Sequence, residues 1–213
     1  DIIIVLARTS GSPGENTGLT MFLVDKNDLE IKKLSMADSR NYANIYLENV
    51  TVSKNNILGD IEAGGDSMDS LLDVGRIAMA AEMLGSTEAA FETTLNYLKE
   101  RKQFGRAIGS FQAVKHMCAE MASELEPCYA LVWHAAHCFD NIPDEAKLMA
   151  CHAKSHVSEV SKAISKKATE VHGGMGFTDL MGIHYWFKRI GVNRQNLGSP
   201  ETIREEAAKI QNL

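Results

Sequence analysis

The sequence has no CxxC pair. Its four cysteines stand at 118, 128, 138 and 151, with no secretory signal ahead of them. That excludes a disulfide framework and predicts free thiols in a reducing compartment. There is no HExxH pattern either. His152 and His156 share a helix face with Cys151 but have no carboxylate at matching spacing, so no metal site is expected there. No apolar run reaches the length needed to span a bilayer. No basic stripe stands out in a chain of net charge −6, which argues against a nucleic-acid partner. The densest basic stretch, Lys162–Lys167, fits a solvated helix face. An initiator Met is also missing. The chain opens on the strand-like run Asp1–Arg8, as if inside a sheet, and is expected to be part of a longer protein.

What is present is the composition of an ordinary globular protein, 45% hydrophobic and 23% charged over 213 residues. Residues 1–60 follow strand logic. Ile2–Ala7 is a continuous apolar run, and Leu19–Val24 follows a Gly/Ser/Pro/Asn loop. Ile31–Leu34 is short, and Asn44–Val50 alternates apolar with polar side chains. With no helices between them, these strands predict an antiparallel sheet. From about Gly65 the period becomes helical. One helix runs to Leu98, a second starts after Ser110, and a third starts at Pro143, where proline is permitted, and ends at Gly173-Gly174. A shorter helix covers Ile183–Val192, and Pro200 opens the last. Gly75 and Gly85 interrupt the first helix at about 1 kcal/mol each, as close packing would explain. The expected class is α+β: the remnant of an antiparallel β-domain (1–62) followed by an antiparallel four-helix bundle (63–213).

Three segments carry chemistry. Arg101, Lys102 and Arg106 beside Phe104 suit an anionic ligand with an aromatic ring, since guanidinium binds phosphate bidentately. They equally suit an exposed basic turn with one anchored Phe. His172-Gly-Gly-Met-Gly176 lets an anion approach main-chain N–H groups, or simply stops a helix. The third segment is Asp73-Val-Gly-Arg-Ile-Ala-Met-Ala-Ala81.

In this order and spacing the three segments closely resemble the acyl-CoA dehydrogenase family. Gly18–Val24, Asn44–Val50 and Ile57–Gly59 are similar to that family's middle β-domain, so the resemblance covers essentially the whole chain. It implies an FAD-dependent oxidoreductase of fatty-acid or lipid metabolism that dehydrogenates an acyl-CoA thioester between its α and β carbons. Arg101, Gln103, Phe104 and Gln112 would contact FAD, often that of a neighbouring subunit, and Gly173 and Gly174 would pack on its adenine–ribose half. Glu170 stands where most members have Gln. Arg76 would support the substrate pocket, and Asp73 would lie near the CoA moiety. The resemblance further implies an electron-transfer flavoprotein-like acceptor and a dimer or tetramer. The location would be cytoplasmic in bacteria or the mitochondrial matrix in eukaryotes.

One feature departs from the family. Its carboxylate base usually precedes a glycine near the chain's end, and that place is held here by Leu197. A minority of members carry the base just before the arginine matched by Arg76, where this sequence has Gly75. Nearby acids are Glu201, Asp179 and Asp73. Glu201 is the weak candidate base, because first-turn acids serve equally as helix caps. Three outcomes are open: a dehydrogenase with a relocated base, a base-lacking partner of an unlike family subunit, or other chemistry on a CoA thioester.

Overall fold

The computed structural model describes all 213 residues, which divide into two compact units, Asp1–Leu72 and Asp73–Leu213. In the first unit β1 (Ile2–Arg8) pairs antiparallel with β2 (Leu19–Asp25), from Ile2 opposite Asp25 to Arg8 opposite Leu19. The hairpin β3 (Glu30–Ser35) and β4 (Asn41–Tyr46) stands apart, and β5 (Ile57–Leu58) adds to β2 on the side away from β1. The loop between β1 and β2 is not slack. The Arg8 guanidinium donates to the carbonyls of Ser10, Glu15 and Thr17, and the Thr9 and Thr20 hydroxyls bond at 2.8 Å.

The antiparallel arrangement agrees with the sequence pattern, but β4 begins three residues before Asn44. Its register is set by pairing with β3, Ser35 opposite Asn41 and Glu30 opposite Tyr46. Asn49 then takes a positive φ of 55°, which ends any extended run.

Helix α1 (Gly64–Glu100) begins in the first unit and continues into the second. It is followed by α2 (Gln112–Asn141), α3 (Pro143–His172), α4 (Ile183–Gln195) and α5 (Pro200–Ile210). Pro143 and Pro200 both occupy first-turn positions, where a missing N–H costs nothing, and Ser199 caps α5 by accepting from Thr202 N. The core joins Met83 of α1, Met121 and Cys128 of α2, and Val157 and Ile164 of α3. Small residues such as Ala150, Ala153 and Ser161 keep α3 slim, so α2, α4 and α5 all pack against it. The α+β class is thus the observed one. Close packing does not explain Gly85. A Cβ there would meet nothing within 4 Å, because it faces a groove of about 610 Å³ between α1 and α2.

One charged side chain of the bundle is wholly shut off from solvent. Lys154 is fully buried, donating from Nζ to Arg194 O at 3.1 Å and Ser158 Oγ at 3.4 Å. It therefore caps the last turn of α4 with a cation, the favourable sign at a helix C-terminus. Burial, aided by Arg194 and Arg76, brings its pKa down from 10.5 to about 8. Below pH 8 the lysine is protonated in both folded and unfolded chains, and stability does not change with pH on its account. Between about pH 8 and 10.5 the unfolded chain holds the extra proton, so stability rises with pH, by at most about 1.4 kcal/mol per unit. Denaturant unfolding across this window will show that rise in the wild type and lose it in Lys154→Met.

Candidate functional site

Two clusters form at separate places on the bundle. The first surrounds Arg76, which is only 7% exposed. Its guanidinium donates as a fork to Glu206, Nη1 to Oε1 at 3.1 Å and Nη2 to Oε2 at 2.8 Å. Nε donates to the Leu197 carbonyl at 3.2 Å, Asp73 lies 3.7 Å from Nη1, and the Cys151 thiol lies 3.6 Å away. Burial works against the charge, but Glu206 outweighs it and raises the Arg76 pKa. The same hydrogen-bonded pair lowers that of Glu206. Burial pushes the Cys151 thiol up to about 11, against the pull of Arg76, so it is no thiolate.

Leu197 occupies a strained place. Its φ is +59°, unusual for a bulky residue, and Gly198 follows at +108°. The chain is held there by Arg76 and by Asn196 N donating to Val192 O at 3.1 Å. The two positions of interest on this loop and on α1 face each other: a Cβ built on Gly75 would lie 2.7 Å from Leu197 Cδ1. Leucine thus fills the volume beside Gly75 with hydrocarbon, and neither side supplies a carboxylate.

The nearby acids have other partners. Glu201 is exposed in the first turn of α5. Its own backbone N–H, then Ser199, then Arg194 at 2.8 Å hold its carboxyl down at about 2. Asp179 accepts from Tyr185 Oη at 2.8 Å and His184 Nε2 at 3.0 Å, which lowers its pKa in that order. Asp73 stays beside Arg76. A carboxylate held in its charged form by such donors is a weak proton acceptor.

The second cluster lies at the far end of α1. Arg76 and Arg101 are 25 positions apart, about 37 Å at 1.5 Å per residue. After α1 the chain makes a minimal hairpin, β6 (Lys102–Gln103) and β7 (Arg106–Ala107). Phe104 and Gly105 turn it with φ of +53° and +78°, the two-positive geometry of a hairpin turn in which glycine is at ease. Phe104 is not anchored, as a buried aromatic would be, but 92% exposed. Arg101 and Gln103 are exposed beside it, and Gln112 is exposed on α2, within 3.0 Å of His116 Nε2.

Gly173 and Gly174 come to the same end. Tyr97 of α1 stacks on His172 of α3 with ring centroids 4.4 Å apart, locking the start of one motif against the start of the other. His172 is buried, its Nδ1 bonded to Ala168 O at 2.7 Å, while its Nε2 has no hydrogen-bond partner. Gly173 has φ +61°, and both glycines are exposed with open space where a side chain would stand. A pocket of about 650 Å³ opens beside Gly173, lined by Glu170, Phe177, His184 and Phe187 with Lys166 and Lys188. An exposed aromatic ring, unshielded guanidinium and bare glycine backbone are the surfaces that a planar, anionic dinucleotide needs.

Residues 62–211 match the acyl-CoA dehydrogenase C-terminal domain. The chain belongs to the acyl-CoA dehydrogenase family. It is 36% identical over 186 residues to the caffeyl-CoA reductase–Etf complex subunit CarC of Acetobacterium woodii, covering 83% of this chain and 48% of that protein. It is 35% identical over 198 residues to the mitochondrial short/branched chain specific acyl-CoA dehydrogenase of Bos taurus, covering 88% and 44%. In structure it is similar to butyryl-CoA dehydrogenase from Megasphaera elsdenii. That likeness has a TM-score of 0.92 at 27% identity, over 100% of this chain and 56% of that one. The chain therefore spans about half the length of the curated relatives it matches.

The motifs around Arg101 and Gly173 stand out in the sequence. Glu206, Tyr97 and the burial of Lys154 do not, since each acquires its role only from a partner many residues away. Replacing Glu206 leaves Arg76 buried without its fork. Because the Glu206 side chain is 30% exposed, Glu206→Gln is expected to cost about 2 kcal/mol, less than a fully buried pair. The depressed Glu206 pKa contributes stability above the ordinary carboxylate range and loses it as pH falls through the folded value. Acid titration followed by circular dichroism will show that loss in the wild type and a shallower one in the variant.

Proposed function

We propose that this chain is the flavin-binding, oligomer-forming part of an FAD-dependent oxidoreductase that takes a proton and a hydride from the α and β carbons of an acyl-CoA thioester. The observation that carries the proposal is the joint exposure of the Phe104 hairpin and the Gly173-Gly174 backbone at one end of the bundle, locked together by Tyr97 and His172. FAD, when bound, supplies the acceptor for the β-hydride. This chain would hold it with Arg101 and Gln103 on the pyrophosphate, Phe104 and Gln112 alongside, and Gly173 and Gly174 against the adenine–ribose half.

Arg76 acts at the other end. It fixes the Leu197 loop and would support the substrate pocket, with Asp73 near the CoA moiety. The separation of about 37 Å along α1 exceeds the reach of one dinucleotide, which supports a dimer or tetramer in which one chain's Arg101 end serves a neighbour's Arg76 end. The acceptor of the electrons would be an electron-transfer flavoprotein-like protein; the Acetobacterium relative is named as a subunit of a reductase–Etf complex.

A second possibility has its own support. The hydrocarbon contact between Leu197 and Gly75, with Glu201 held at about 2, favours a chain whose base is furnished by an unlike family subunit.

The full-length protein is expected to purify with bound FAD. Arg101→Ala and Phe104→Ala should each weaken FAD retention about tenfold, the loss of one charged or stacked contact worth about 1.4 kcal/mol. Acyl-CoA should perturb the flavin absorbance. A protein that binds no FAD after reconstitution would overturn the proposal. Bleaching by acyl-CoA only after addition of an unlike family subunit would establish the second possibility.

A further inference from the structure

The corner between α2 and α3 brings together three metal-ligating side chains that sequence spacing separates. His134 and Cys138 lie one turn apart on α2, with Cys138 Sγ 3.6 Å from His134 Nε2 and 3.9 Å from Nδ1. Glu145 stands in the first turn of α3. One ligand atom from each of the three falls within 4.8 Å of the others. A single residue, Ile142, joins the helices. Its N–H donates to Cys138 O at 2.8 Å, and its carbonyl accepts from Glu145 N at 3.0 Å, so the corner is fixed by main-chain bonds.

We propose that His134, Cys138 and Glu145 form a binding site for a thiophilic divalent cation of the zinc type, with water as fourth ligand. The set of one thiolate, one imidazole and one carboxylate matches the donors zinc takes, and it suits magnesium or calcium poorly. The spacing matches as well. Zinc–sulfur and zinc–nitrogen bonds of about 2.3 and 2.0–2.1 Å at a tetrahedral angle put the two ligand atoms about 3.6 Å apart. His134 and Glu145 are exposed and Cys138 is buried, so an ion would enter from solvent and rest on the sulfur.

Burial and then the Glu145 carboxylate raise the Cys138 pKa, keeping the thiol protonated. On binding, the sulfur–proton bond gives way to a metal–sulfur bond and the proton leaves to solvent, with no change of oxidation state. None of the other three cysteines shares such a cluster, and Cys151 faces a guanidinium. The site shares no residue with the Arg76 cluster or the Phe104 hairpin. Its effect would be to staple α2 to α3.

The test uses the full-length protein, stripped with chelator and titrated with cobalt(II). A thiolate-to-cobalt charge-transfer band with tetrahedral visible bands should saturate at one ion per chain and disappear on adding zinc. Zinc should also raise the unfolding temperature of the stripped protein and release a proton. Cys138→Ser should abolish the band and Cys118→Ser leave it intact. Glu145→Gln, at an exposed position, should weaken binding about tenfold or more. Absence of the band, or its persistence at full strength in Cys138→Ser or Glu145→Gln, would overturn the assignment.

Discussion

A guanidinium that is 7% exposed must be fully engaged, and much of the bundle's arrangement near the Leu197 loop follows from how Arg76 meets that requirement. Its fork on Glu206 ties α1 to α5, and its Nε holds the carbonyl of a leucine in the left-handed region. Lys154 reinforces the same corner from below by binding the Arg194 carbonyl at the end of α4. Two cations therefore shape one loop. A loop fixed in a strained conformation by buried charge is typical of a position where a side chain must be aimed, yet the side chain aimed here is leucine.

The opposite end of α1 is organised by stacking rather than charge. Tyr97 on His172 holds two chain segments together while leaving their working surfaces, Phe104 and the glycine pair, bare to solvent. An aromatic ring exposed at 92% buries little in this chain alone, its one ring contact being the edge-on approach to Phe111 at 6.2 Å. Its natural explanation is a ligand or partner that covers it. In the proposed reading that ligand is the flavin, while Leu197 and Gly75 leave hydrocarbon where the thioester would lie.

The long helices are legible from their apolar spacing, and α3 also from Pro143 at its start and Gly173 at its end, whereas Pro127 lies inside α2. Alternation in Asn44–Val50 points to a strand that starts three residues after β4 does, because alternation says nothing of register against β3. The Phe104 hairpin could not be read at all, since strands of two residues have no period. Lys154 sits among polar residues and looks like a solvated side chain, but Arg194 lies forty positions away in sequence and closes over it. The same holds for Glu206 and for the corner of His134, Cys138 and Glu145: each depends on distances across helices that one-dimensional spacing does not contain. The substitution of Leu197, by contrast, was fully visible, and the structure adds that Gly75 leaves it the room it fills.

If the Arg76 cluster supports an acyl-CoA thioester as proposed, it does so with no carboxylate at Leu197 or Gly75. The direct measurement is the anaerobic rate of flavin bleaching by acyl-CoA in the full-length protein with Leu197→Glu. A base restored at that position should raise the rate by about 10²–10⁴-fold, with a rise toward higher pH as the new carboxyl ionises. An unchanged rate, with FAD and acyl-CoA both bound, would contradict the account.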